Sequence, residues 1–275
     1  MSAAKPVLPR WATLDAWLAL LGLILALRFV LRDFERYRRV VDSEQGLVEN
    51  LTVAFALLAA ALCLAIVRRR RRLPQRWLGP WFLLCALGCA LFAGEESSWG
   101  QHWFGWSSPQ WFAERNRQGE TNLHNLGKYS TQRLPKLLLT AGIVGGGLAL
   151  PLWRRARRRS APASLWLPGD ATVPLAGLVL LTRLLERLRT WLHLKHTFPW
   201  DIHFKETNEM LMAGFFAVYA LAALVRSNAE GRAISGPGCG RPAGKESGAG
   251  CGDRRSGRSP RPAGLGNGRS LLSRS

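Results

Sequence analysis

The sequence predicts an all-α protein, a polytopic membrane helix bundle with about six transmembrane helices. Two observations lead to this fold class. Apolar stretches of about twenty residues recur along the 275-residue chain, and a helix of that length crosses a hydrocarbon layer of roughly 30 Å. Lipid offers no hydrogen-bond partner for backbone N–H and C=O groups, so segments that cross it should be helical.

The six predicted spans cover residues 14–31, 47–67, 78–96, 134–153, 171–190 and 208–225. The first follows Lys5 and Arg10, as the apolar part of a secretory signal would. No small-residue cleavage site comes after it, however, so we predict a retained span. Residues 1–226 are therefore expected to form one transmembrane domain.

The charge distribution predicts the orientation of these spans. The chain has 38 Lys and Arg against 18 Asp and Glu, a net charge of +20. The arginine runs at 68–72 and 154–159 follow the second and fourth spans, and more basic residues follow the sixth. The loops on the other side mix both signs. This alternation is the positive-inside pattern, which places both termini in the cytoplasm and three loops outside. It also explains the positive charge without nucleic acid as a partner.

Tryptophan placement and loop punctuation support the same topology. The twelve tryptophans lie near the ends of the spans, as amphipathic rings at the headgroup level do. In the second outward loop, Ser108-Pro109 precedes QWFAERNRQ and Gly119. This punctuation predicts a short helix, and Trp111 and Phe112 suggest that it lies along the interface.

The C-terminal segment 227–275 differs from the rest in composition. It is rich in Gly, Arg, Ser, Pro and Ala and has few large apolar residues. Such a segment buries too little surface to offset its ordering entropy, so we predict a disordered, basic cytoplasmic tail. A shifted reading frame in GC-rich DNA would give the same bias.

Polar residues near the outward ends form the candidate site. All five histidines are predicted to lie on that side, together with several carboxylates. In GEESSWGQ (94–101), a continuing helix would place Glu95, Ser98 and His102 on one face, since residues seven apart differ by about 20°. Glu96 would then point about 100° away. Intramembrane ionisable residues suggest function, whereas a hydrated helix rim is the plainer interpretation.

Small residues predict which helix faces pack together. In the third span, Ala86, Ala90, Gly94 and Ser98 recur every four residues and are expected to face a neighbouring helix. In the fourth span, Gly142 and Gly146 form a GxxxG spacing beside Gly145 and Gly147. This second set predicts another close-packing face.

The third outward loop offers nitrogen and carboxylate ligands in a short segment. His193 and His196 are three residues apart, and Asp201, His203 and Glu206 follow. These groups suit zinc or another divalent cation, although HxxH is less specific than HExxH. We therefore include His193, His196, Asp201 and His203 in a hypothetical metal site, to which His124 would contribute if the outward loops converge.

A charged group in the fifth span is the third candidate. Arg183, Glu186 and Arg187 have i, i+3 and i+4 spacing, so they can pair along the helix. A structural ion pair explains them, and anchoring of an anionic headgroup is the functional alternative. Glu49 and Asn50, at the start of the second span, would complete the outward polar cluster.

The stretch GEESSWGQHWFGW…PQWFAERNRQGETNLHN resembles a family of uncharacterised bacterial multi-pass membrane proteins that carry GEE-x-SWGQ and an ETNLHN segment. The resemblance is specific over about 94–127 and brings no activity with it. It favours His124 over His102 as a functional residue, and it implies the bacterial inner membrane as the location.

A remoter similarity connects Ser98-x-x-x-His102 with the alkaline ceramidase-like membrane hydrolases, which hold zinc with three histidines beside a serine and an aspartate. The chain departs from that pattern in two ways. It has His193-x-x-His196 instead of HxxxH, and six predicted spans instead of seven.

Two classes of function remain open from the sequence. The first is metal-assisted hydrolysis or transfer on a lipid substrate, with Glu95 as general base beside Ser98. The other members of the outward pocket, Glu96, Glu120, Asn122 and Glu206, would bind substrate. The second class is non-enzymatic: a carrier, a proton-coupled permease component or a scaffold whose partners are membrane lipids. The sequence leaves open whether the protein is an enzyme, which metal it would use and its oligomeric state.

Overall fold

The computed structural model describes residues 8–9, 12–43, 45–116, 119–123, 126, 130–157, 164–194, 197–198 and 200–234. These residues contain helices and no strands, which confirms the predicted all-α class. The longer helices are α1 (Leu14–Val30), α3 (Leu47–Arg68), α4 (Leu78–Glu96), α7 (Ser130–Gly142), α9 (Val173–Trp191) and α10 (Phe204–Ile234). The shorter ones are α2 (Phe34–Tyr37), α5 (Gln101–Phe104), α6 (Gln110–Arg115) and α8 (Leu150–Ala156).

Four helical stretches in the described part of the chain are long and apolar enough to cross a membrane. They are Phe34–Arg68, Leu78–Glu96, Leu134–Ala156 and Phe204–Ala229. Six were predicted, so two of the predicted segments fall short. Helix α1 has 17 residues, about 26 Å of rise. Helix α9 carries Arg183, Glu186, Arg187 and Arg189 in its second half, which lowers its mean hydropathy.

Helix α10 is the central element of the bundle. Nearly every residue from Thr207 to Ala220 is buried, so the helix is covered on all sides. It packs against α3 and α9, and α3 packs against α4. The close packing of α10 against α1 requires a glycine at position 214, because a Cβ added there would overlap the buried ring of Trp17. Trp17 is 2% exposed, so it is a core residue and not the interfacial residue predicted.

Polar contacts inside the bundle fix the pairing of α9 with α10. Asn208 donates to the Val179 carbonyl at 2.8 Å and to the Thr182 hydroxyl at 2.7 Å. All three residues are buried. A hydrogen bond between helices satisfies groups that lipid would leave without a partner. These bonds therefore set the axial position of one helix against the other.

The glycine-rich part of the fourth predicted span packs closely through Gly146 and Gly147, but not through Gly142. Residues Ile143–Ala149 form a π-helical segment between α7 and α8. A Cβ at Gly147 would overlap the Phe215 ring, and one at Gly146 would contact Pro168, whereas Gly142 and Gly145 face open space. The π-helical geometry changes the helical phase, so the GxxxG spacing does not define the face.

Two further predictions concern the loop helix and the tail. The short helix after Ser108-Pro109 is confirmed as α6.

Helix α10 continues to Ile234, past the predicted start of the tail at 227. Ser227 and Asn228 contribute to this continuation, because Ser227 donates to the Leu224 carbonyl and Arg69 hydrogen-bonds Asn228. Residues 235–275 lie outside the described part of the chain.

Candidate functional site

Four glutamates converge at one end of the bundle, where α3 and α10 begin and α4 ends. We call Glu49, Glu96, Glu206 and Glu209 the carboxylate cluster. Glu96 interacts electrostatically with the other three and with Lys136 of α7. The cluster therefore draws on three helices that are distant in sequence, and Lys136 adds a fourth.

Two lysines accompany the carboxylate cluster. Lys136 forms an ion pair with Glu209, whose side chain is 5% exposed. Lys205 lies 3.3 Å from the Glu206 carboxylate and also interacts electrostatically with Glu96. Among the described residues, four carboxylates thus face two ammonium groups. An ionised carboxylate in such a poorly hydrated place is costly unless a cation, a hydrogen-bond donor or a proton compensates it.

The structure reverses the predicted orientations of the Glu95 and Glu96 side chains. Glu96 is 9% exposed and points into the carboxylate cluster. The Glu95 carboxylate lies at the surface, where it accepts hydrogen bonds from the Trp99 indole at 3.1 Å and the Leu123 amide at 2.7 Å. The predicted orientation of Glu95 was wrong because it was taken from small residues spaced four apart. On an α-helix, positions four apart rotate about the helix axis by about 40° at each step. The stripe that is buried on α4 consists of Phe82, Ala86, Cys89, Ala93 and Glu96.

The helix also ends before the predicted face could reach His102. Helix α4 stops at Glu96, and Ser98, Trp99 and Gly100 have φ values of 45°, 58° and 90°. These left-handed conformations are unfavourable for serine and tryptophan. Nearby contacts hold them: the Trp99 ring lies against Gly94, where an added Cβ would be 3.0 Å away. The chain therefore turns sharply and carries Ser98 into the protein.

Ser98, Glu120 and Asn122 form a hydrogen-bond network. Ser98 donates to the Glu120 carboxylate at 2.8 Å. The Asn122 amide donates to the Ser98 hydroxyl at 2.9 Å and to Glu120 at 2.7 Å, and Asn116 donates to Asn122 at 2.8 Å. All four residues are buried. These hydrogen bonds hold Asn116 and residues 120–122 against the end of α4.

We expect Asn122→Leu to free this loop. The substitution removes the hydrogen bonds that the Asn122 amide donates to Ser98 and Glu120 and the one that its side-chain oxygen accepts from Asn116, at a cost of about 2 kcal/mol for the buried groups. Limited proteolysis of the purified protein should then cut between 105 and 123 faster than in the wild type. Gln110→Leu, on the exposed α6 helix, is the matched control and should leave the cleavage rate unchanged. Equal rates for both variants would show that the network does not hold the loop.

Arg28 and Asp201 form a buried ion pair that the sequence did not reveal. Arg28 donates to both carboxylate oxygens of Asp201, at 2.9 Å and 2.5 Å. The guanidinium lies over the rings of Phe198, Tyr37 and Phe34, at 4.8 Å to 5.8 Å from their centroids. Hydrogen bonding by Arg28 lowers the pKa of Asp201 below its ordinary value. Asp201 is therefore an ionised partner of Arg28, with both oxygens engaged.

His203 lies beside a second buried carboxylate. Its Nδ1 is 3.7 Å from Asp42 Oδ2, and the Asp42 side chain is fully buried. The His203 backbone amide donates to the same oxygen at 3.5 Å. Burial, followed by the charges of Arg189 and Arg38, lowers the pKa of His203. These groups favour the neutral imidazole at neutral pH.

The three predicted metal ligands that the structure describes, His193, Asp201 and His203, do not form a group arranged to hold a metal ion. His193 is exposed, with a φ of 56°, and Asp201 is engaged by Arg28. His124 and His196 lie outside the described residues. Within the described part of the chain, no group of three histidine, cysteine or carboxylate side chains has the arrangement that a metal ion needs.

The charged residues of α9 pair differently from the prediction. Glu186 binds Arg189, at 2.8 Å, and not Arg183 or Arg187. Arg189 also donates to the Ile202 carbonyl at 2.6 Å and the Trp200 carbonyl at 3.1 Å. It therefore holds the segment before α10 against α9. Glu186 and Arg189 have a structural contact, while Arg183 and Arg187 border a groove next to it.

Sequence reasoning missed several charged residues of this end: Arg28, Asp42, Lys136, Arg189 and Lys205. Arg28 and Lys136 lie within or beside predicted spans, where a single charge among apolar residues is itself a signal of function or pairing. Asp42 falls in a loop rich in arginine and gives no comparable signal. Their partners, however, cannot be identified from spacing, since Asp201 is 173 residues from Arg28.

The chain was compared with family models, with characterised proteins and with solved structures, and none of them matches it. The site must therefore be interpreted from its own geometry.

Proposed function

We propose that the protein is a proton-coupled permease component of the bacterial inner membrane, and that its carboxylate cluster takes up protons from the outer side. In this proposal α1 and α9 also cross the membrane, which gives six spans with both termini in the cytoplasm. The distribution of basic residues supports this orientation, because Arg68 to Arg72 and Arg154 to Arg157 lie at the end of the bundle opposite the carboxylate cluster.

The observation that carries the proposal is the position of Glu96. It is 9% exposed, no described residue donates a hydrogen bond to it, and it faces Glu206, Glu209, Glu49, Lys136 and Lys205. A carboxylate buried without a donor is costly when it is ionised. Proton uptake removes that cost and the repulsion from the neighbouring glutamates, so Glu96 can exchange protons as the charge around it changes.

The alternative of metal-assisted hydrolysis on a lipid has less support. It requires Glu95 and Ser98 as a catalytic pair, with zinc or another cation on the outward histidines and Asp201. In the described part of the chain, Glu95 and Ser98 belong to different hydrogen-bond networks. Asp201 gives both oxygens to Arg28. The residues of this alternative are therefore engaged in contacts that stabilise the fold.

Proton flux into proteoliposomes tests the proposal. With a pH-sensitive dye inside and a potassium diffusion potential as driving force, the wild type should acidify the lumen faster than empty vesicles. Glu96→Gln cannot exchange a proton at this position, so its rate should fall to that of empty vesicles. Glu95→Gln makes the same change one residue away, outside the carboxylate cluster, and should keep most of the wild-type rate.

Two results would contradict the proposal. One is equal flux from wild type and Glu96→Gln, provided that both variants elute as folded protein in detergent. The other is turnover of vesicle lipids, measured by mass spectrometry, that Glu95→Gln abolishes and Glu96→Gln retains. The second result would establish the hydrolase alternative in its place.

A further inference from the structure

A groove between α7 and α9 combines cationic and apolar side chains. It encloses about 620 Å³ and is lined by Leu137, Arg183, Glu186, Arg187, Thr190 and Trp191. None of the carboxylate-cluster residues lines the groove. It is therefore a feature that the proposed function does not use.

The groove carries an uncompensated positive charge. Arg183 and Arg187 are one helical turn apart, and no described side chain forms an ion pair or hydrogen bond with either guanidinium. The carboxylate in the groove, Glu186, is neutralised by Arg189 at 2.8 Å. Two adjacent guanidiniums can together donate several hydrogen bonds to one phosphate, a geometry that favours arginine at phosphate sites.

A second, apolar groove adjoins the first. It is shallow and open, has a volume of about 440 Å³ and is lined by residues of α9 alone, namely Leu184, Leu185, Leu188, Arg187 and Trp191. Arg187 and Trp191 border both grooves, so the two are continuous along α9. Leu184 and Leu188 are 55% and 43% exposed, and Trp191 is 76% exposed. The pair of grooves thus offers a cationic part followed by an apolar part.

The depth of the arginines explains why a lipid is the fitting occupant. Arg183 precedes Trp191, at the end of α9, by a rise of about 12 Å. If the Trp191 ring lies at the headgroup level, Arg183 lies below it, where an unpaired guanidinium requires a counter-anion. A phospholipid places its phosphate at the headgroup level and its acyl chains beside the helix. Long arginine side chains reach up to such phosphates.

We propose that this groove binds an anionic phospholipid, with Arg183 and Arg187 on its phosphate and an acyl chain against Leu184 and Leu188. The inference needs only that α9 contacts the membrane, and it does not depend on proton uptake by the carboxylate cluster. An effect on lipid binding without an effect on proton flux, or the reverse, would therefore separate the two proposals.

Lipid retention tests the site. Wild type and Arg183→Gln/Arg187→Gln would be extracted from nanodiscs of phosphatidylglycerol mixed with phosphatidylcholine, and bound lipid would be counted by native mass spectrometry. The wild type should retain phosphatidylglycerol, and the double variant should need about tenfold more of it for the same occupancy, because two charge-assisted contacts are lost. Arg32→Gln/Arg36→Gln removes the same charge at the same end and spacing, outside the groove, and should behave as wild type.

Three outcomes would overturn the proposal. Equal phosphatidylglycerol retention by wild type and Arg183→Gln/Arg187→Gln would show that the arginines do not bind it. Equal loss in both double variants would show a general effect of charge. Thermal stabilisation of the wild type by inorganic phosphate to the same degree as by phosphatidylglycerol would identify a site for a free anion. Arg183→Lys/Arg187→Lys, which keeps the charge, should recover part of the retention if the variants fold equally well.

Discussion

Asp201→Asn should lower the free energy of unfolding by about 3 kcal/mol, because it leaves the Arg28 guanidinium buried without its counter-charge. The two side chains are 4% and 10% exposed, so water cannot replace the lost carboxylate. The aromatic rings of Phe198, Tyr37 and Phe34 cover the guanidinium further. Chemical denaturation in detergent micelles, followed by tryptophan fluorescence, would measure the change.

Asp170→Asn provides the matched control for this substitution. Asp170 pairs with Arg155 at 3.1 Å, but both side chains are more than half exposed. Exposed ion pairs contribute little, so the control should change the free energy of unfolding by less than about 1 kcal/mol. If the two asparagine variants lose the same stability, the Arg28–Asp201 contact is no more important than a surface pair.

The same pair predicts how stability depends on pH. The pKa of Asp201 in the folded protein lies below its ordinary value of about 4, because Arg28 hydrogen-bonds the ionised form. The stabilisation is therefore present above about pH 4 and disappears as the pH falls through the folded-state pKa. Asp201→Asn should show a smaller loss of stability over that acidic window than the wild type does.

Gly214→Ala should cost about 2 kcal/mol or more, since overpacking of a rigid core is expensive. The added Cβ would overlap the Trp17 ring, which is 2% exposed and packed against Phe55 at a centroid distance of 4.8 Å. Thermal unfolding of the detergent-solubilised variant, measured by circular dichroism, would show a lower midpoint.

Gly88→Ala makes the same chemical change at a site where an added Cβ meets nothing within 4 Å. It should be neutral, or stabilise the protein by about 0.5 kcal/mol, because alanine is the better helix former. A smaller side chain at position 17 offers a second check. In a Trp17→Leu background, Gly214→Ala should lose most of its effect. If Gly214→Ala still lowers the unfolding midpoint by the full amount in that background, the cost comes from the helix itself and not from the ring.

The sequence predicts the local features of this protein well. Runs of apolar residues place α1, α3, α4 and α9 within two residues of their observed bounds, because a span needs an apolar run about as long as the helix itself. Helix α10 extends further than predicted at both ends. The pair Ser108-Pro109 locates the start of α6, because a proline at the start of a helix acts through the local backbone geometry of its first turn. The gathering of Glu96 and Glu206 at one end also follows from alternating helix directions.

The side-chain geometry could not be predicted in the same way. The choice between Glu95 and Glu96 depends on about 100° of helical phase, and a stripe of small residues on α4 suggested the wrong face. The network around Ser98 depends on a left-handed turn at Trp99, which no propensity favours. The Arg28–Asp201 pair joins segments from opposite halves of the chain. Tertiary packing decides each of these contacts, so one sequence alone does not contain the needed signal.

Helix α10 connects the two ends of the bundle. Its first turns carry Glu206 and Glu209, and at the other end Arg226 donates to the carbonyls of Leu167 at 3.2 Å and Leu165 at 3.5 Å. The helix between them is continuous, and nearly all of its residues from Thr207 to Ala220 are buried. A single covered helix therefore joins the carboxylate cluster to the segment that precedes α9.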